Sequence, residues 1–184
     1  MHKLIKMRLF FLIVSLFVTQ LVSAQGGMPD WLEPDSLGRD VYVQGMVSLK
    51  QDTTKTSCRI TIIRTGADSV VYNINIGQEG FYEFFLHPDN FYHVFFRKDG
   101  YATKKLDIDT HNIPEKVWKR GFAMVVDIEM EQVPPSFDRK LFEVPVGICR
   151  YFEKGKELRL DPEYTKAQRA AWDAEIAEGT TKNP

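Results

Sequence analysis

The sequence predicts a mainly β protein, a seven-stranded Greek-key-like sandwich with a C-terminal extension that ends in a helix. Three observations predict it. Apolar residues alternate through short runs, as in Val41, Val43, Gly45, Val47 and Leu49, and alternation puts one set of side chains on one sheet face. Turn residues such as Pro88-Asp89-Asn90 and Asp99-Gly100 separate the runs. No helical period interrupts them before Asp161. Short strands punctuated in this way are the pattern of a two-sheet sandwich.

The chain is expected to begin with a targeting segment. Lys3, Lys6 and Arg8 form a basic start, Leu9 to Val22 is a mostly apolar run, and Val22-Ser23-Ala24 offers small or permitted residues for cleavage before Gln25. The run is short for a membrane span, which needs about twenty apolar residues. Residues 1–24 are therefore expected to be a signal peptide, and no stable membrane span is expected once it is cleaved. No cysteine stands at the junction for lipid attachment. Cleavage would leave 160 of the 184 residues and, by removing three basic residues and no acid, move the net charge from −1 to −4. A mildly acidic chain is a poor candidate for nucleic acid. Export to the periplasm, the outer membrane or beyond the cell is expected.

Residues 25–39 are turn-rich and read as a linker or arm in which Trp31 and Leu32 stand out. The sandwich is assigned to 40–133. Its first three strands run from Asp40 to Leu49, Ser57 to Arg64 and Ser69 to Ile76. The centre is Gly80 to Tyr101, a hairpin whose Tyr82, Phe84 and Leu86 on one strand and Tyr92, Val94 and Phe96 on the other fill one core. Its second face carries Glu83, His93 and Arg97, but also Phe81, Phe85 and Phe95, so a cover or a partner is expected there. Ala102 to Asp109 is a sixth strand, His111 to Arg120 a loop or short helical turn bearing Trp118, and Phe122 to Met130 a seventh strand.

The extension is assigned to 134–184. Phe137 to Phe152 is too apolar for a free tail, and Glu153 to Lys156 is expected to be a hairpin turn between Ile148–Phe152 and Glu157–Leu160. Asp161-Pro162-Glu163 supplies an N-cap, a proline at the first helical position and an acid in the first turn. The helix is expected over about 162–177, with a thin stripe of Tyr164, Ala167, Ala171 and Ala174, and with Gly179 ending it. Cys58 and Cys149 are open to two readings in an exported chain, a disulfide or two buried small hydrophobes.

Several motifs occur in order. They are Val43-Gln44-Gly45-Met46-Val47, Arg59-Ile60-Thr61-Ile62, Gly80 with Tyr82, Phe84 and Leu86, and Tyr92 to Tyr101 ending in Lys98-Asp99-Gly100-Tyr101. Lys104 to Thr110 follows as Lys-Lys-Leu-Asp-Ile-Asp-Thr. Over Asp40 to Met130 this pattern resembles the carboxypeptidase regulatory-like, transthyretin-like domain, in the version found in Gram-negative envelope proteins. Tyr82 stands where the family usually has phenylalanine. The resemblance implies a β-sandwich without catalytic residues that serves as an accessory or interaction module.

Chemistry-bearing residues are sparse. His87, His93 and His111 read as surface histidines, and Asp107 and Asp109 share a strand face without a loop of oxygen ligands around them. Glu79 with Glu83, and Glu129 with Glu131, read as ordinary strand or turn acids. No nucleophile motif and no glycine-rich phosphate loop occurs. No catalytic residue, cofactor or metal is expected, and the chain is read as not an enzyme. The expected function is protein interaction or structural support in the cell envelope, with an envelope protein as partner. The alternative is carbohydrate or peptidoglycan binding on surface aromatics. The candidate contact residues for either are Trp31, Phe85, Phe95 and Trp118.

Overall fold

The computed structural model describes residues 38–51, 53–66, 70–119, 121–133 and 137–181. The expected leader and most of the expected arm, Trp31 included, lie outside them. Two sheets face each other. The smaller one is built on β1 (Val41–Leu49), which pairs antiparallel with β4 (Phe81–Leu86). On its other side β1 pairs parallel with β7 (Phe122–Val125) and β8 (Ile128–Met130). The larger sheet has the strand order β10-β9-β6-β5-β2-β3. Its members are β2 (Cys58–Thr65), β3 (Val70–Ile76), β5 (Phe91–Arg97), β6 (Lys104–Asp109), β9 (Gly147–Phe152) and β10 (Glu157–Leu160).

The period-two reading of the core holds. Val41, Val43, Val47, Tyr82, Phe84 and Leu86 from the smaller sheet meet Ile60, Ile62, Tyr92, Val94, Phe96, Leu106 and Ile108 from the larger. Most of these are fully buried. Packed apolar side chains of this size each stabilise the fold by about 1.5–3 kcal/mol relative to exposure. The turns also fall where expected, with Asp89 and Gly100 at positive φ.

The strand count does not hold: the described residues form ten strands in sheets of four and six, not seven. Two causes account for the difference. First, the extension is part of the larger sheet. β9 pairs parallel with β6, and β10 closes a hairpin on β9. Its apolar residues are buried because it adds strands to the sheet rather than lying across one. Second, the expected seventh strand is interrupted. At Val126–Asp127 the carboxylate of Asp127 takes the Met46 backbone N–H at 2.9 Å. The carbonyl of Val126 turns inward instead and accepts from the Tyr82 hydroxyl.

Gly45 is what lets that carbonyl turn in. A Cβ there would run into the Val126 carbonyl oxygen and lie 2.9 Å from the Tyr82 hydroxyl. The strand resumes in the same register, since Val41 pairs with Phe122 and Val47 with Ile128.

Helix α1 (Glu115–Trp118) is a single turn, and a 3-10 helix spans Arg139–Glu143. Helix α2 (Pro162–Thr181) starts at the expected cap, where the Asp161 carboxylate accepts from the backbone N–H groups of Glu163 and Tyr164. It continues through Gly179 rather than stopping there. Its buried face also differs from the expected alanine stripe. Ala167, Ala171 and Ala174 are exposed, and Trp172 is buried with Ile176 packed behind it.

The cysteines are both buried and free. Cys58 is on β2 and Cys149 on β9, with β5 and β6 between those strands. Three inter-strand spacings amount to about 14 Å, well beyond the roughly 7 Å limit for disulfide Cα atoms. Burial pushes the Cys58 thiol up to about 11 and the Cys149 thiol up to about 12. Both are therefore protonated, unreactive core residues.

Candidate functional site

The aromatic residues singled out from the sequence do not share one surface. Trp118 is only 6% exposed and packs edge-on against Phe122 at 5.4 Å. Phe85 points outward from the smaller sheet and lies 5.0 Å from the ring of Tyr42. Phe95 points outward from the larger sheet, on the opposite side of the sandwich, and is also only 6% exposed. The Arg97 guanidinium sits 4.4 Å above its ring, and the Lys105 ammonium lies within 5.7 Å. Lys105 also donates to the Glu143 carbonyl at 3.1 Å, which ties the 3-10 helix to this face. The expected hairpin is not formed, since β4 and β5 lie in different sheets, and the extension covers part of the Phe95 side alone.

The polar candidates are dispersed. His93 pairs with Asp107 at 2.7 Å on the outer face of the larger sheet, and the Lys105 ammonium lies 3.7 Å from the same carboxylate. His111 pairs with its neighbour Asp109 at 2.8 Å. Glu83 accepts from the Tyr42 hydroxyl. Among the described residues, no three His, Cys, Asp or Glu side chains gather so as to hold a metal ion.

One polar cluster is not visible in the sequence. Glu131, read above as an ordinary acid, is 4% exposed and pairs with both Lys104 and Lys50. Lys50 also reaches Asp173 on α2 at 3.2 Å. The Lys104 ammonium lies 3.8 Å from the centre of the Trp172 ring. Trp172 in turn packs on Phe137 at 5.0 Å and Phe142 at 5.9 Å. Burial alone would raise the Glu131 carboxyl, but its bonds to Lys104 and Lys50 outweigh burial and hold it below its ordinary value of 4.5. A cleft of about 170 Å³ opens beside this group, between β8 and α2. Lys50, Lys104, Glu131 and Asp173 pair with one another and fasten α2 to the sandwich. The one sequence signal for it is Trp172 four residues before Ile176, and the more regular alanine stripe masks that pair.

The exposed surface has a simpler logic. Among the described residues, the large hydrophobics it shows are Val71 at 56%, Phe81 at 48% and Val125 at 66%. They sit on β3, β4 and β7, and each of these strands is the edge of its sheet. β3 is the least protected of them. Its seven residues, VVYNINI, include no charge, no proline and no glycine. Natural edge strands usually carry such features to prevent pairing with another chain. No other strand among the described residues pairs with its outer side.

No family model and no curated protein matches the chain. Among solved structures, a 3-chlorocatechol 1,2-dioxygenase from Rhodococcus opacus aligns at 11% identity and a TM-score of 0.38, over 58% of this chain and 63% of that one. The Bacillus anthracis TIE protein aligns at 13% and 0.38, over 51% of this chain and 17% of that one. A group B streptococcus pilus 2b backbone protein aligns at 9% and 0.32, over 50% and 40%. The chain thus spans less than two thirds of the length of each. Likenesses this low assign neither family nor activity, and the description of the fold rests on the strands and registers above.

Proposed function

We propose that this chain is an exported, non-enzymatic β-sandwich module that makes protein contacts in the cell envelope through its sheet edges. The observation that carries this reading is the position of the exposed large hydrophobics Val71, Phe81 and Val125 on edge strands. An edge offers a row of unpaired backbone donors and acceptors, and flanking apolar side chains add the area that makes pairing stick. The basic start and apolar run of the leader support export. The ordered motifs from Val43 to Thr110, now seen on β1, β2, β4, β5 and β6, support membership of the carboxypeptidase regulatory-like, transthyretin-like domains. The glycan alternative has less support, because Trp118 and Phe95 are nearly buried and face different parts of the molecule.

The test is crosslinking in intact cells with a tagged chain, followed by fractionation. A defined envelope protein should be recovered with the wild type and lost with Phe81→Lys or Val125→Lys. Recovery of no envelope protein, together with retention on purified cell wall, would replace this reading with the glycan one.

A further inference from the structure

We propose that β3 pairs with β3 of a second copy of this chain, joining the two larger sheets edge to edge across a two-fold axis. This rests on reading the edges as contact surfaces and names one occupant for one of them. The reasons are symmetry and charge. A two-fold axis perpendicular to a sheet sets two like strands antiparallel and keeps the same sheet face on the same side. Opposed residues must then share a face. β3 has an odd number of residues, so its centre falls on Asn73. In that register Tyr72 lies opposite Ile74, and both belong to the half-buried inner face packed on the core. Val71 lies opposite Asn75, and both are exposed on the outer face. Asn73 meets its own counterpart. Its side-chain oxygen accepts from the Thr61 hydroxyl at 2.7 Å and keeps a second lone pair, so each amide can donate to the other's oxygen across the pair. No charge is opposed anywhere along the strand.

The other edges do not fit as well. β4 centred on Glu83 would set two carboxylates opposite each other, which is unfavourable. Centred on Phe84, it would set Glu83 against Phe85. β10 carries Glu157 and Arg159 and runs directly into α2. The β7–β8 edge is interrupted at Val126–Asp127, and β8 lines the cleft against α2. The half-exposed Tyr72 and Ile74 would gain cover from their counterparts, and the uncharged edge would be closed to irregular pairing.

The experiment is sedimentation velocity over a concentration series. It uses the chain expressed from its own Met1 and purified in the form that export leaves. The expected result is a reversible monomer–dimer equilibrium. Asn73→Lys places two like charges at the centre of the pair and should weaken dimerisation by about tenfold or more. The change also removes the acceptor of the Thr61 hydroxyl, so the melting temperature should fall by roughly 2–4 °C while unfolding stays a single cooperative step. Asn73→Thr should keep the dimer, and so should Phe81→Lys on the β4 edge. A monomer at every concentration overturns the proposal, as does a dimer that survives Asn73→Lys or dissolves with Phe81→Lys.

Hydrogen exchange on the wild type tests the pairing without any variant. β3 amides should slow as concentration rises, and no change there also overturns the pairing. A monomer that still crosslinks to an envelope protein through Phe81 would sink this inference and leave the proposed function standing.

Discussion

Two hydrophobic clusters hold this chain together, and they are built by different rules. The larger one lies between the sheets and draws on strands that alternate in sequence. Its notable polar device is the Tyr82 hydroxyl, which donates to the inward carbonyl of Val126. The smaller one gathers Ala102, Phe137 and Trp172, with Val133, Leu141, Phe142, Val146 and Ile176 around them. It sits beside a charge network of Lys104, Glu131, Lys50 and Asp173. The first cluster satisfies backbone geometry through strand pairing, so apolar contact is nearly sufficient. The second joins segments that share no hydrogen-bonded ladder with α2, and ion pairs supply the direction that a ladder would otherwise give. A sheet core tolerates little polarity, whereas a helix docked from outside relies on it for placement.

The strongest challenge to that contrast is Trp172→Ala. Removing a buried tryptophan costs about 4 kcal/mol when the site cannot collapse, which for a chain of this size lowers Tm by roughly 10 °C. Thermal unfolding followed by circular dichroism checks it. If α2 lost its helical signal while the sheet signal melted at the wild-type temperature, the second cluster would be a detachable ornament and the contrast would fail.

Glu131→Gln is the next largest change, at about 3 kcal/mol at neutral pH, because it leaves the buried Lys104 ammonium without its partner. It also has a pH signature. The Glu131 carboxyl is held below its ordinary 4.5 in the folded chain. Between the two values the unfolded chain binds the proton and the folded chain does not. The stabilisation is therefore complete above about pH 5 and is lost as pH falls through the folded value. Unfolding by denaturant at several pH values should show a steep acid limb in the wild type and a shallower one in Glu131→Gln. Parallel limbs would mean that the ion pairs contribute nothing to holding α2.

The same contrast explains what is legible in the sequence. Period two is a local property, so the spacing of Val41 to Val47, Tyr82 to Leu86 and Tyr92 to Phe96 is enough to mark their core faces. The helix start is legible for the same reason, since Asp161, Pro162 and Glu163 are neighbours. The parallel pairing of β9 with β6 joins Leu106 to Gly147, about forty residues away, and no local pattern announces it. Lys104 and Glu131 look like surface residues because charge usually marks a solvated position. Only the arrival of Trp172 makes them interior. Phe85 and Phe95 share a hairpin face in the sequence, yet the chain carries β4 and β5 into different sheets. The turn between two strands shows that the chain reverses. It does not show whether the strands pair with each other.

The smallest expected effects probe the first cluster and test whether the Tyr82 hydroxyl couples to the close approach at Gly45. Tyr82→Phe removes the donor to the Val126 carbonyl and should cost about 1–2 kcal/mol, the usual penalty for a buried acceptor left unpaired. Gly45→Ala should cost about 2 kcal/mol, because its Cβ meets that carbonyl and the same hydroxyl, and the strand must shift to admit it. The two changes touch the same atoms, so they should not add. With the hydroxyl gone, one obstacle to the introduced Cβ disappears and the Val126 carbonyl has no donor drawing it inward. The double variant should therefore be more stable than the sum of the two singles predicts, by about 0.5 kcal/mol or more. Strict additivity in a denaturant-unfolding cycle would mean that the carbonyl is turned inward by the strand interruption at Val126–Asp127 itself and would keep its place without Tyr82.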